Sequence, residues 1–510
     1  MDWVRSPLEH PGRIEGCDET PGPMAGLVGR RARHDPGMRR LSPLDASFLH
    51  LERDVQALNV GSALIFEGPA PRYDEVCRAI EVQLPALPRY RQHVRRVPLD
   101  LALPVWVDDP RFRLRAHVGH RTLRPPGTDT ALRALAVQLV SRPFDLDRPL
   151  WHTWLVTGLQ EGRFALVNSN HHAMIDGISG ADIISKLLTT SPFAGVPETP
   201  TPAPWTPGRE PTAVQLTLDA LVEIVTSPVR TVQSVARALR PKAMPESMAE
   251  VLGMARFGEQ LTHLEQGLNG PLGPRRDWEW GRVDLDAVKE VKNRHGGTVN
   301  DVVLSAITGG FRTWLQSRGQ RVDGRTLRTM VPVSTRHLDE RGRLGNRVSA
   351  VFADLPVGLD DPLDRLHAVT AQLVALKNSG TALGVDALLG AADLVPGSLF
   401  ALGVKTWAHS PQRIFSTVTT NVPGPQQPLY LLGRRMTEWY PYIPLGVDLR
   451  ITIGVASYAG GLAWGITGDH DSVRDLHVLS DGIQQAITEL IALSTPPANT
   501  PPTFSEVRHA

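Results

Sequence analysis

The stretch "SPFAGVPETPTPAPWTPGREPT", Ser191 to Thr212, constrains the fold most. Each proline removes a backbone donor and clashes with the preceding helical turn, so neither a packed helix nor a central strand runs through it. It reads as a linker. On either side of it strands and helices alternate, so the 510-residue chain divides into two α/β halves of similar size joined by a Pro-rich crossover. A chain of this length exceeds one ordinary core, which agrees with that division.

The first half begins at Leu41. Residues 1–40 are rich in Pro, Gly and Arg, carry no period and read as a flexible leader. A domain over 41–190 follows, with a strand in "NVGSALIFEG", helices in "YDEVCRAIEVQL" and "TALRALAVQLVS", and two strands in "LWHTWLVTGL" and "RFALVNSN". Residues 191–274 hold the linker and crossover helices. The second domain, 275–494, contains the helix "TVNDVVLSAITGGFRTWLQS" and strands in "TLRTMVPVST", "RVSAVFADLPV", "RIFSTVTTNVPGP" and "RITIGVASYAGGLAWGITGD". Residues 495–510 have the composition of a disordered tail.

Charge and cysteine usage narrow the function classes. The 54 basic and 53 acidic residues leave a net charge of +1, without the basic excess usual in nucleic-acid binding. Two cysteines exclude a disulfide framework and a cysteine-rich zinc site, which points to a reducing compartment. The sequence shows neither an apolar signal core nor an uninterrupted apolar run of membrane-spanning length, so a cytoplasmic address with peripheral membrane contact is expected.

The chemistry is concentrated in "FALVNSNHHAMIDGISG", Phe164 to Gly180. A strand delivers His171 and His172, with Asp176 and Gly177 following at a bend and a helix, Gly180–Thr190, leaving it. Adjacent strand residues point to opposite faces, so at most one histidine faces a given pocket. Imidazole titrates near physiological pH, which makes one of them a general-base candidate. A metal site needs about three ligands. His152 and Asp176 are the conceivable partners, and no third ligand stands at motif spacing. No G-x-S-x-G elbow, Walker A loop or dinucleotide fingerprint is present.

"HHAMIDG" matches HHxxxDG, the signature of the CoA-dependent acyltransferase superfamily that includes chloramphenicol acetyltransferase and peptide-synthetase condensation domains. Its surroundings are more specific. "LSPLDASFLHLE", "RPLW", "TVNDVVLSAITGGFR", "MVPVSTR", "LGNRVS" and "TNVPGP" resemble, in order, the bacterial wax ester synthase/diacylglycerol acyltransferase family from about residue 41 to 470.

The resemblance implies a two-domain chloramphenicol acetyltransferase-like α/β (α+β) fold with mixed sheets and the active site at the domain interface. It implies an acyl-CoA-dependent O-acyltransferase making triacylglycerol from diacylglycerol, wax esters from long-chain alcohols, or both. His172 would be the general base, His171 its support, Asp176 a loop-holding carboxylate paired with an arginine such as Arg336 or Arg347, and Gly177 the source of loop geometry. No metal or bound cofactor is implied; acyl-CoA is a co-substrate. Pro149, Leu150 and Trp151 either start a core strand or shape the acyl-binding region. Asn300 and Asp301 are expected as a helix N-cap that positions the second domain, and Asn421 in a turn leaving a strand near the channel. Two apolar segments, Ala213–Arg240 and Gly384–Trp407, are ordinary packing helices or a surface lying on a membrane or lipid droplet. A condensation-type enzyme using carrier-protein thioesters and a non-catalytic lipid-binding relative are the alternatives.

Overall fold

The computed structural model describes residues 39–53, 55–174, 187–193, 205–223, 268–334, 348–378, 397–409 and 413–494. The first half opens with strand β1 (Arg39–Arg40) and helix α1 (Pro43–Leu51). Ser42 caps α1 by accepting from the Asp45 N–H at 3.1 Å, and Pro43 supplies a preset φ at the first turn. Then come β2 (Asn59–Phe66), α2 (Tyr73–Gln83), β3 (Gln92–Arg95), β4 (Val105–Asp108), β5 (Val118–Thr122), α3 (Asp129–Val140), β6 (Trp151–Thr157) and β7 (Phe164–His171). The strands expected here, and the helices at α2 and α3, lie where the periodicity placed them; the helix expected over Gly180–Thr190 falls mostly outside the described residues, and Thr189 pairs with Tyr430 in an isolated bridge.

Residues 213–223 form a further helix, α4. The part of the Pro-rich stretch that precedes it is docked against β4. Gly208 donates to Asp108 at 2.9 Å, Glu210 lies 3.5 Å from Arg95, and the Arg91 guanidinium stands 4.6 Å from the Trp205 ring centroid. Proline denies regular structure but not packing.

The second half contains β8 (Arg276–Asp284), α5 (Leu285–His295), α6 (Val299–Ser317), β9 (Leu327–Ser334), β10 (Val348–Leu355), α7 (Pro362–Asn378), α8 (Gly397–Ala408), β11 (Thr417–Pro423), β12 (Tyr430–Leu431), β13 (Arg434–Tyr442), β14 (Ile451–Tyr458), β15 (Gly461–Asp469) and α9 (Leu476–Ser494). Its sheet has the order β10-β9-β11-β14-β15-β8, with parallel pairing where β11 meets β9 and β14. The strands β14 and β15 are buried along almost their whole length, because helices cover one face and the other half of the molecule covers the other.

The first sheet, β12-β13-β2-β7-β6-β5, is completed by two strands from the second half. β13 pairs antiparallel with β2, setting Tyr440 opposite Ala63 and Tyr442 opposite Gly61. The two sheets approach closely there. A Cβ on Gly454 would come within 2.5 Å of Ile443, and one on Gly465 would overlap the Pro441 carbonyl. These glycines are fixed by close approach. A shared core of Ile65, Val137, Trp154, Trp278, Trp280, Tyr440 and Tyr442 seals the contact, with the Trp278 indole N–H donating to Pro441 O at 3.1 Å. Truncating any one of the three tryptophans of such a core to Ala costs about 3–5 kcal/mol. A small third sheet, β1-β4-β3, lies beside α4 and α8.

Candidate active site

β7 ends on His171, His172 follows directly, and three backbone bonds fix this end. The His171 N–H donates to Leu150 O, the His172 N–H to Leu58 O, and the Met174 N–H to His171 O, each at 2.9 Å. The motif is therefore stitched to β6 and to the entry of β2 before any side chain acts.

The two imidazoles face different surroundings. His171 is fully buried. Its Nδ1 accepts from the Ala173 N–H at 3.0 Å, so in the neutral ring the proton sits on Nε2. That nitrogen faces Glu52 Oε2 at 3.4 Å, while Glu52 Oε1 accepts from the Leu58 N–H at 3.3 Å. Both ring nitrogens of His171 are thus turned into the protein. His172 is only half buried, and its ring stacks on Phe48 of α1 with centroids 3.8 Å apart and planes 23° from parallel. The stack fixes the plane of the ring against α1.

Asp176 and Gly177 lie outside the described residues, as do Arg336 and Arg347. Pro149, Leu150 and Trp151 are all buried, and Trp151 opens β6. Their tie to the motif is direct: Leu150 O holds the His171 N–H. The Trp151 indole donates to Tyr90 O at 2.8 Å, and its own carbonyl meets His117 Nδ1 at 2.9 Å.

The expected cap of α6 is corrected in part. Thr298 is the N-cap. Its hydroxyl accepts from the Asp301 N–H at 3.3 Å, and Asp301 Oδ2 accepts from the Thr298 N–H at 2.8 Å, a reciprocal capping box. Asp301 takes part as the third helical residue, but Asn300 does not cap, because its side chain leaves the helix on another face. Asn421 also differs from expectation. It lies within β11 opposite Val455 rather than in a turn, and its Nδ2 donates to Asn300 Oδ1 at 3.4 Å. This amide pair lines a cavity of about 510 Å³ where α5 and α6 begin and α7 ends. The described residues lining it come from the second half.

Glu52 and Phe48 were not singled out from the sequence, although both stand in "LSPLDASFLHLE". A carboxylate closing an apolar helix was the available signal; its partner, 119 positions later in the chain, was not. His152, the conceivable metal partner, instead stacks with His117, Phe144 and Trp154. Burial, helped by the neighbouring His117, lowers its pKa to about 4, and burial lowers that of His117 as well. Among the described residues, no group of three or more His, Cys, Asp or Glu side chains is arranged to hold a metal ion.

Comparison with known proteins agrees with this arrangement. The wax ester synthase/diacylglycerol acyltransferase catalytic domain matches residues 41–303, and the WS/DGAT C-terminal domain matches residues 344–491. A Mycobacterium tuberculosis protein named "Probable diacyglycerol O-acyltransferase tgs1" is 34% identical over 471 residues, covering 90% of this chain and 96% of the relative. Among solved structures, a wax ester synthase/diacylglycerol acyltransferase from Marinobacter aquaeolei superposes with a TM-score of 0.61 at 22% identity, covering 89% of this chain and 100% of that one. The starter condensation domain of rhizomide synthetase, solved with C8-CoA and Leu-SNAC, gives a TM-score of 0.56 at 12% identity over 90% and 94% of the two chains. These two likenesses establish the two-domain acyltransferase-type fold expected from the sequence. The chain belongs to the wax ester synthase/diacylglycerol acyltransferase family.

Proposed function

We propose that this protein is an acyl-CoA-dependent O-acyltransferase that esterifies diacylglycerol, long-chain alcohols or both, with His172 as general base. One observation supports the assignment of roles within the motif: His171 is fully buried with its Nδ1 taken by the Ala173 N–H, whereas His172 is half buried and stacked on Phe48. That difference in burial supports reading His171 as the support and His172 as the base.

In this reading His172 removes the proton of the acceptor hydroxyl as its oxygen attacks the thioester carbonyl. The tetrahedral oxyanion collapses to the ester and expels the CoA thiolate, which takes the proton back from the imidazolium. A positioned base contributes about 10²–10⁴-fold. Glu52, Leu150 and Leu58 are positioning residues that hold the strand end. Asp176 and Gly177 hold the loop beyond it.

The acceptor is a neutral lipid, and the enzyme meets it as a peripheral protein at an inner membrane face or a lipid droplet. Exposed apolar side chains support this. Val214, Leu218, Leu221 and Val222 form one stripe on α4, whose opposite face packs through Leu216 and Ala220. Leu399 and Leu402 are exposed on α8. Leu99, at 88% exposure, is held outward by two successive left-handed residues, Leu99 at φ 56° and Asp100 at φ 51°. Lys405 of α8 ties this turn down through Asp100 at 2.8 Å. Such backbone strain costs about 1–3 kcal/mol per residue and is tolerated mainly where it serves a function. Arg39 and Arg96, both exposed nearby, suit an anionic headgroup layer. Among the described residues no helix is long and apolar enough to cross a membrane.

The test is incubation of purified protein with palmitoyl-CoA and either hexadecanol or a diacylglycerol, followed by resolution of the lipids. Ester formation is expected. Transfer only from a carrier-protein thioester would overturn the reading in favour of a condensation-type enzyme, and no transfer from any donor would leave a lipid-binding relative.

A further inference from the structure

We propose that Gln56 and Arg276 are positioning residues for the base, a polar brace through which the second half of the molecule holds the end of β7. This rests on the reading of His172 as general base and names the groups outside the motif that set where that base stands.

The link from α1 to β2 touches the motif at both ends. Glu52 accepts from the Leu58 N–H, and Leu58 O accepts from the His172 N–H at 2.9 Å. Strand pairing does not supply that last bond: the register of β2 and β7 ends at Asn59 opposite His171, so Leu58 and His172 stand just past it. Three contacts carry the link across to the second half. The buried Gln56 amide donates from Nε2 to Leu445 O at 3.0 Å, in the connection between β13 and β14. Arg276, the first residue of β8, donates from Nη2 to Val55 O at 2.6 Å. Arg53 lies 3.9 Å from Asp448, at the outer limit of an ion pair.

Arg276 makes a rigid anchor. Its Nη1 donates to Gly273 O at 2.5 Å and Arg275 O at 3.0 Å and stands 3.4 Å from Asp469. That buried carboxylate is itself held by the Gly273 N–H at 2.8 Å and the Ser472 N–H at 3.1 Å. A planar guanidinium fixed on this many acceptors has little freedom to turn, so Val55 O is pinned to the frame of the second sheet. Gln56 and Leu445 are both buried, so neither can exchange its partner for bulk water. Leu58 is only two residues beyond Gln56, and a shift of the link moves the carbonyl that holds His172. The two halves are already joined by β13 and the tryptophan core. Polar contacts concentrated on this one link therefore add little to docking and act on placement.

The test uses the full-length protein with Gln56→Met, which keeps side-chain length but cannot donate, and Arg276→Lys, which keeps a cation for Asp469 but lacks the fork that spans Val55 and Gly273. Arg133→Ala is the control. It breaks a 3.3 Å pair with Glu279 that also joins the halves, about 10 Å along α3 from Val140, whose carbonyl meets Asn59. Hydrogen exchange of the His172 amide is followed by mass spectrometry, and kcat and both KM values are measured with palmitoyl-CoA and hexadecanol or a diacylglycerol. Gln56→Met and Arg276→Lys are each expected to speed that exchange about tenfold, the value of one buried hydrogen bond. They lower kcat by about 10–10²-fold with both KM values as in the wild type, and Arg133→Ala changes neither readout. Unchanged exchange in both variants overturns the proposal. So does wild-type kcat alongside faster exchange when His172→Ala is inactive, a rise in KM alone, or an equal response in Arg133→Ala, since any loosening of the halves would then reach the motif. A wild type that transfers nothing, or a His172→Ala protein with full turnover, fails the function reading and leaves the brace to stand or fall on the exchange data.

Discussion

Replacing Glu52 with Ala tests whether the carboxylate at the end of α1 sets the position of the motif. The substitution removes the acceptor of the Leu58 N–H at 3.3 Å and the carboxylate that lies 3.4 Å from His171 Nε2. Both contacts are long, so each lies toward the weak end of its range. Leaving the Leu58 N–H without its acceptor costs about 1–3 kcal/mol, the low end applying to a bond this long. The consequence for turnover follows through the backbone. Leu58 O holds the His172 N–H and Leu150 O holds the His171 N–H, so loosening this corner displaces the proposed base. A misplacement of about 1 Å costs roughly 10²-fold in rate. Glu52→Gln keeps one acceptor and should lose less in both respects. The assay pairs urea denaturation followed by tryptophan fluorescence with initial rates on the same preparations, and a cycle with His171→Ala isolates the coupling. Coupling of at least about 0.5 kcal/mol is expected for groups in contact. A Glu52→Ala protein with wild-type stability and turnover would refute the clamp. Lost turnover with unchanged stability would instead give Glu52 a direct part in the chemistry.

His172→Ala should lower transfer by about 10²–10⁴-fold with the unfolding midpoint nearly unchanged, and His171→Ala should lose stability as well as rate; greater sensitivity of turnover to His171, in a folded protein, would reverse the assigned order. The His152 pKa of about 4 lies below the unfolded value near 6.5, so between those pH values the unfolded chain binds the extra proton. Stability from this group is therefore complete above pH 6.5 and falls by up to about 3 kcal/mol as pH drops to 4. His152→Phe, which keeps a ring in the stack, should flatten that slope in urea midpoints taken from pH 4 to 8, and an unchanged slope would place the proton uptake elsewhere. Leu99→Asp combined with Leu402→Asp should reduce flotation with anionic phospholipid vesicles about tenfold or more, given about 1.5–3 kcal/mol for each leucine buried. Equal flotation of variant and wild type would move the lipid-facing surface to another part of the molecule.

The sequence by itself determined the local elements and the identity of the chemical motif. Ser42 before Pro43, Thr298 three residues before Asp301, and the apolar runs of β2, β6 and β7 act within a few residues, where hydrogen-bond geometry and period leave few choices. The motif stands where β7 ends, with His171 its last residue and His172 just beyond it. Tertiary structure decided what each ring meets. The Glu52 contact and the Phe48 stack join residues more than a hundred positions apart, and a helix-capping carboxylate looks the same in sequence whether or not an imidazole waits beyond it. Asn300 shows the limit most plainly: its position invites a capping role, but Thr298 already satisfies the free N–H groups, and β11 brings Asn421 against its side chain instead. The insertion of β13 into the first sheet is likewise invisible in the Pro-rich division of the chain, because period reports that a strand has buried faces and not which edge it joins. The cavity arises where helix ends and strands from across the second half converge, and convergence of distant segments is a property of packing alone.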